Sequence, residues 1–256
     1  LSLTYGKGFS RTNVFFIRKL YLLFPKVQTV SELLSWSHYC ELLTLDDELE
    51  RGFYEQQSIR ERWSVSELKR QKKSALFLRL AKSRDKAGIL KLAAQGQIPE
   101  TPDEVLRDPY ILDFLQIPEQ YRYSEAEIEA RIIEHLQHFL LELGKGFTFV
   151  GRHYRISFGG RHYRVDLVFY HRILRCFVLI DLKVDEVEHG DIGQMNLYLN
   201  YFQKEENLPD DNDPIGIILT AHKNDVLVEY ALGGLSNQIF VSKYQLYLPD
   251  QKVLED

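Results

Sequence analysis

At 256 residues the chain is long enough for one large domain or two smaller ones. With 45% hydrophobic and 27% charged residues it has the make-up of a globular protein, and two cysteines, Cys40 and Cys176, exclude a disulfide framework. A net charge of −5 excludes a uniformly basic nucleic-acid-binding surface, and the absence of any run of about 18 apolar residues leaves no membrane span to expect. No signal peptide is visible, so a reduced, cytoplasmic protein is expected. Met195 is the single methionine, and the natural chain is expected to extend further toward its N-terminus.

Residues 1–92 read as an all-α N-terminal domain. Apolar residues at 14, 17, 20, 21 and 24 form a helical stripe stopped by Pro25. Short helices are expected from Ser31 and from Trp36 to Leu43, and a longer one over 47–60. Ser64 and Glu67 have capping-box spacing and open a basic helix from Leu68 to Leu80. Charge is concentrated here: residues 1–26 hold five Lys/Arg and no acid, and residues 60–91 hold eleven against three acids, a local +8. Such helices fit a helix-turn-helix-like DNA-binding unit or a plain helical packing module. The acids gather in 100–142 and 181–229; the acidic segment 100–142 could pair with the basic segment 60–91 between subunits or within one, and a homo-oligomer is expected.

Residues 93–122 contain Pro99, Pro102, Pro109 and Pro118 and read as a linker. The second domain then spans 123–256. Ser124 and Glu127 form another capping box, at the head of a long helix with Ile128, Ile132, Leu136, Phe139 and Leu143 on one side. Strands are expected over 147–158, 161–170 and 173–183, with a turn at Gly159 and Gly160. A helix over 188–203, a strand over 215–220, a helix over 224–232 and a strand over 238–247 complete the chain. The order is α-β-β-β-α-β, an α/β domain whose central sheet carries helices on both faces.

The chemistry lies in two of those strands. Asp166 and Asp181 each interrupt an apolar run, and an ionised carboxylate in a buried strand is costly unless something compensates it. If the loop between the strands holds an even number of residues, Asp166 pairs near Leu179 and Asp181 lies one diagonal step away, within about 7–8 Å. Two carboxylates there suit Mg²⁺, with Mn²⁺ as a substitute, and Lys183 projects on the same face to orient a water or stabilise phosphate charge. Gln194 and Tyr198 share a helix face and are placed to bond a phosphate or hold the lysine. Glu134 is the helix glutamate expected at the metal, ahead of Glu127. Arg152, Arg155, Arg164 and Arg172 belong to an arginine-rich hairpin segment, 152–175, with six arginines against Asp166 alone, a local +5. His153, His162 and His171 recur every nine residues, which alternates their faces and argues against a three-histidine metal site.

The runs Gly146 to Arg152, Val165 to Tyr170, Leu174 to Lys183 and Asp191 to Met195 resemble the YhcG-type proteins of the PD-(D/E)xK nuclease superfamily. Upstream, Tyr5 to Arg11, Leu34 to His38, Phe53 to Gln57 and Trp63 to Lys69 resemble that family's N-terminal domain. The resemblance implies a prokaryotic protein with a restriction-endonuclease-like core that cleaves nucleic acid with Mg²⁺. By position, Asp166 is the first motif acid, Asp181 and Lys183 form the second motif, and Gln194 with Tyr198 match the Gln-xxx-Tyr element of the RecB-like branch. Asp stands at 181 where Glu is frequent, and Val165 where a proline is. The expected function is a Mg²⁺-dependent nuclease acting on DNA; the alternative is a DNA- or protein-binding module with little turnover. Replacing Asp181 by Asn separates the two.

Overall fold

The structure is a computed structural model that describes residues 7–23, 33–82, 84–118, 123–233 and 238–248. The chain divides into two compact units, with the boundary between residues 97 and 98. Among the described residues no helix is long and apolar enough to cross a membrane.

The first unit is helical throughout: α1 (Arg11–Leu23), α2 (Trp36–Leu42), α3 (Glu48–Glu61), α4 (Val65–Lys73), α5 (Leu76–Ala81) and α6 (Lys86–Gln95). The helix expected to start at Ser31 falls partly outside the described residues. Asp47 caps α3 and Ser64 caps α4, each side chain accepting from the backbone N–H three residues on. Glu67 does not complete the expected box. It is buried, and its carboxylate accepts from Gln71 instead. The single basic helix expected over 68–80 is broken at Ala75, whose φ of +49 cannot continue a right-handed helix. Phe53, Tyr54, Leu68, Leu76 and Leu80 are buried and form the centre of this unit.

The second unit is built on one sheet. Its strands are β1 (Tyr110–Ile111), β2 (Phe147–Phe158), β3 (Arg161–His171), β4 (Cys176–Glu186), β5 (Ile215–His222) and β6 (Ile239–Gln245). They lie in the order β1-β6-β5-β4-β3-β2. The β2–β3–β4 meander is antiparallel, and β4, β5, β6 and β1 run parallel to one another. Helices α7 (Glu125–Glu134) and α8 (Leu136–Leu143) take the place of the one long helix expected there; His135, at φ −108 and ψ 30, divides them. The remaining helices are α9 (His189–Tyr201) and α10 (Asp225–Leu232).

Two cores lie on the sheet. Ile128, Ile132, Phe139 and Leu143 of α7 and α8 pack with Leu167, Phe169, Val178, Ile180 and Ile217. Ile192, Met195, Tyr198 and Leu199 of α9 pack with Val168, Leu179 and Ile218. Coverage on both sides explains why the centre of β4 and the first six residues of β5 are buried without alternation. A Cβ at Gly216 would come within 2.5 Å of Met195 Cγ, so glycine lets α9 seat closely on β5.

The described part of the stretch expected as a linker, residues 93–118, is packed into the two units. Residues from 98 onward belong to the second unit, Tyr110–Ile111 pairs with β6, and Val105, Leu112, Phe114, Leu115 and Ile117 are core. Its prolines mark turns in a buried segment: Pro102 opens a short 3-10 turn. Proline interrupts regular structure, but it does not prevent the residues between breaks from packing.

Candidate active site

The two aspartates are brought together by strand register. Leu167 pairs with Ile180, and His171 with Cys176 across a four-residue turn. Continuing that register by one residue sets Asp166 directly level with Asp181. The expected register was two residues off; the even loop that keeps both carboxylates on one face is present. Asp166 Oδ2 accepts from the backbone N–H of Leu182 at 2.8 Å, which ties β3 to β4 beside the two acids.

Both carboxyls are unusually reluctant to ionise. Burial pushes Asp166 up, Glu129 adds to that, and the Leu182 N–H works against it. Burial pushes Asp181 up to about 7, with the Asp166 charge reinforcing the effect. Asp181 is only 2% exposed. Lys183 is two residues along β4, its Nζ 3.7 Å from Asp181 and 3.2 Å from Asp191 Oδ1. Burial would lower its pKa, but the charges of Asp181 and Asp191 outweigh burial and hold it above the ordinary value. Lys183 is therefore an ammonium at neutral pH.

Asp191 is a site residue that the sequence reading passed over. It lies in the first turn of α9, where Oδ2 accepts from Glu188 N–H in a reciprocal cap while Oδ1 meets the lysine. Its spacing from Glu188 was the available signal, since an acidic N3 residue is oriented by its cap.

Gln194 and Tyr198 meet as their spacing requires, but they do not hold the lysine. Gln194 Nε2 donates to Tyr198 Oη, and Tyr198 Oη donates at 2.9 Å to the carbonyl of Arg164. The pair thus ties α9 to the strand that carries Asp166, two residues before it. Tyr198 is buried, and burial raises the pKa of its hydroxyl.

Glu134 is misplaced. It is the exposed last residue of α7 and makes an angle of about 180° around the helix axis with Glu125. Glu125 and Glu129 are the glutamates of α7 whose charges act at the site, on Asp181 and on Asp166 respectively. Glu127 is occupied in the Ser124 capping box. The apolar positions Ile128 and Ile132 fix which side of α7 faces the sheet, and that side turns Glu134 away.

Arg155 and Arg164 are exposed and paired directly across β2 and β3. Like charges so placed repel, and a bound anion would relieve them. Arg152 is exposed and level with Leu167. Arg172 is not part of this group: it lies in the turn after β3, six residues and about 20 Å along the strand from Asp166. The three evenly spaced histidines separate. His171 is buried on the Lys145 carbonyl, His162 pairs with Ser157, and His153 contacts Glu129.

Comparisons with known proteins identify the family. A family model for the YhcG PDDEXK nuclease domain matches residues 103–256, and one for the DUF1016 N-terminal domain matches residues 1–79. The chain is 38% identical over 288 residues to the provisionally designated nuclease YhcG of Escherichia coli (strain K12), which takes in 100% of this chain and 76% of that protein. Among solved structures, a repair endonuclease from Pyrococcus abyssi is similar over 52% of this chain and 50% of its own, with 21% identity and a TM-score of 0.35. An EndoMS–dsDNA2 complex is similar over 53% and 51%, with 18% identity and a TM-score of 0.34. The chain spans about half the length of each of these two structures.

Proposed function

The chain belongs to the YhcG family of PDDEXK nucleases, and on that premise we propose that it hydrolyses phosphodiester bonds in DNA with a divalent cation, Mg²⁺ or Mn²⁺. The observation that carries the reading is a pair of carboxylates on adjacent strands, Asp181 buried and Asp166 half-buried, with the Lys183 ammonium beside them.

The residues fit a cation. Asp166, Asp181, Asp191, Glu125 and Glu129 surround the site against Lys183 and His153, and the two central acids are pushed up first by burial and then by the neighbouring acidic charge. Among the described residues no three His, Cys, Asp or Glu side chains form a ready-made cluster. That donor set suits Mg²⁺, which is held by one or two carboxylates together with water and substrate phosphate oxygens. Asp166 and Asp181 would hold it. Bound there, the cation supplies charge neutralisation at the phosphate and a more acidic water.

The chain's own residues do the rest. Lys183 has three N–H donors; one bonds Asp191, Asp181 lies 3.7 Å away as an ion pair, and donors remain for the attacking water or a phosphate oxygen. Tyr198 and Gln194 fix β3 so that Asp166 keeps its register. Arg155 and Arg164 lie on the same hairpin as Asp166 and supply phosphate-backbone contacts, which carry affinity without sequence preference. Cys40 and Cys176 are unpaired, in keeping with a reducing, cytoplasmic setting.

The reading is tested by incubating linear, circular and branched DNA, and RNA of matching sequence, with wild type and Asp181→Asn in Mg²⁺. Cleavage by wild type alone supports it. Binding with equal affinity and no cleavage by either would transfer the protein to the binding-module reading.

A further inference from the structure

His153 stands in the middle of β2 with φ +47, a left-handed conformation that non-glycine residues rarely adopt within a strand. Its flanking pairs, Arg152 with Leu167 and Tyr154 with Val165, set it level with Asp166 on β3. The β3–β4 register, continued one residue past its last pair, Leu167 with Ile180, sets Asp166 level with Asp181 on β4. One row across three strands therefore carries His153, Asp166 and Asp181. Nε2 of His153 lies 2.6 Å from Glu129 Oε2 on α7. Glu129 is 5% exposed, and among the described residues its Oε1 has no hydrogen-bond partner. The imidazole is half exposed, so it links a buried carboxylate to the surface above the row. A buried carboxylate needs a donor, but any donor on a relaxed backbone would serve. A left-handed histidine at this level of the sheet is a more specific arrangement, and such outliers gather at functional sites.

We propose that His153 is a further catalytic residue, which donates a proton from Nδ1 to the oxygen leaving the phosphorus while Glu129 holds Nε2. The proposal rests on the nuclease reading above. In the step, a water oxygen bonds to phosphorus as the bond from phosphorus to the bridging oxygen breaks. The bridging oxygen keeps that electron pair and takes the Nδ1 proton. The attacking water gives a proton to solvent, and the imidazole regains one from solvent, so charge and protons balance. The sides of the row assign the roles. Lys183 is on β4 and His153 on β2, two strand spacings and two residues along the strand apart, about 12 Å, with the aspartates between them. In-line displacement places the entering and leaving oxygens on opposite sides of phosphorus. If Lys183 serves the entering water, His153 serves the leaving oxygen.

The test compares an ordinary DNA substrate with one carrying sulfur at the bridging position that wild type cleaves, because a thiolate departs without a proton. His153→Asn keeps an N–H donor and tolerates the left-handed backbone; His153→Gly removes the strain altogether. General acids typically contribute about 100- to 10,000-fold. We expect both variants to lose at least about 100-fold on the oxygen substrate and less than about 5-fold on the sulfur substrate, while Asp181→Asn fails on both. Equal losses on the two substrates, or no loss on the oxygen substrate, would overturn the role of His153. Failure of the nuclease reading has a separate signature: wild type then cleaves neither substrate.

Discussion

Replacing Asp181 by asparagine should stabilise the metal-free protein at alkaline pH while abolishing cleavage. The Asp181 carboxyl titrates at about 7 in the fold against an ordinary 3.8. Between those values the folded chain holds a proton that the unfolded chain has released. The stability this contributes is full below about pH 4 and is lost as pH rises through about 7. The difference is about 3 pH units at about 1.36 kcal/mol each, a ceiling on the order of 4 kcal/mol for the cost of ionised Asp181 at pH 8. Solvent reaching the site lowers that ceiling, and asparagine gives up the partly exposed contact with Lys183, worth under about 1 kcal/mol. A net gain of about 1–3 kcal/mol remains. At roughly 2–4 °C per kcal/mol for a unit of this size, the variant should melt about 2–12 °C higher. The assay is calorimetry in EDTA at pH 5.5 and pH 8, comparing variant with wild type so that other titrations cancel. Mg²⁺ should raise the melting temperature of wild type and leave the variant nearly unmoved. A variant less stable than wild type at pH 8 without metal would refute the reasoning.

Gly216→Ala should cost about 1–3 kcal/mol in urea unfolding, since the added methyl meets Met195 Cγ at 2.5 Å, and Met195→Ala should recover part of the loss in the double variant. Tyr198→Phe removes the hydrogen bond to the Arg164 carbonyl and should cost about 1 kcal/mol, with DNA affinity in a fluorescence titration unchanged within about twofold. Arg155→Ala and Arg164→Ala should each weaken DNA binding and reduce the slope of log affinity against log salt by about one, whereas Arg172→Ala, in the distant turn, should leave that slope alone.

The fold was legible where periodicity and punctuation agreed. The central strands read as apolar runs because helices bury both faces, and the even loop between β3 and β4 placed both aspartates together. Less legible were features decided by packing. The proline-rich stretch looked like a linker because the β1–β6 pairing that absorbs it joins Tyr110 to Tyr244, far apart in sequence. Glu134 and Glu129 differ only in helix angle, and that angle is set by which of Ile128, Ile132 and Ile133 faces inward. Asp191 and His153 were missed as site residues for a related reason: one is aimed by a cap, the other by a left-handed backbone, and neither leaves a periodic trace.

The most direct measurement is single-turnover cleavage of end-labelled duplex DNA in Mg²⁺ by wild type and Lys183→Ala, with melting curves in parallel. Cleavage by wild type that EDTA stops is expected, with a loss of at least about 100-fold in the variant and a melting temperature lowered by only a few degrees, since the lysine's ion pairs are worth about 1 kcal/mol each. Cleavage that persists at the wild-type rate in Lys183→Ala would contradict this expectation.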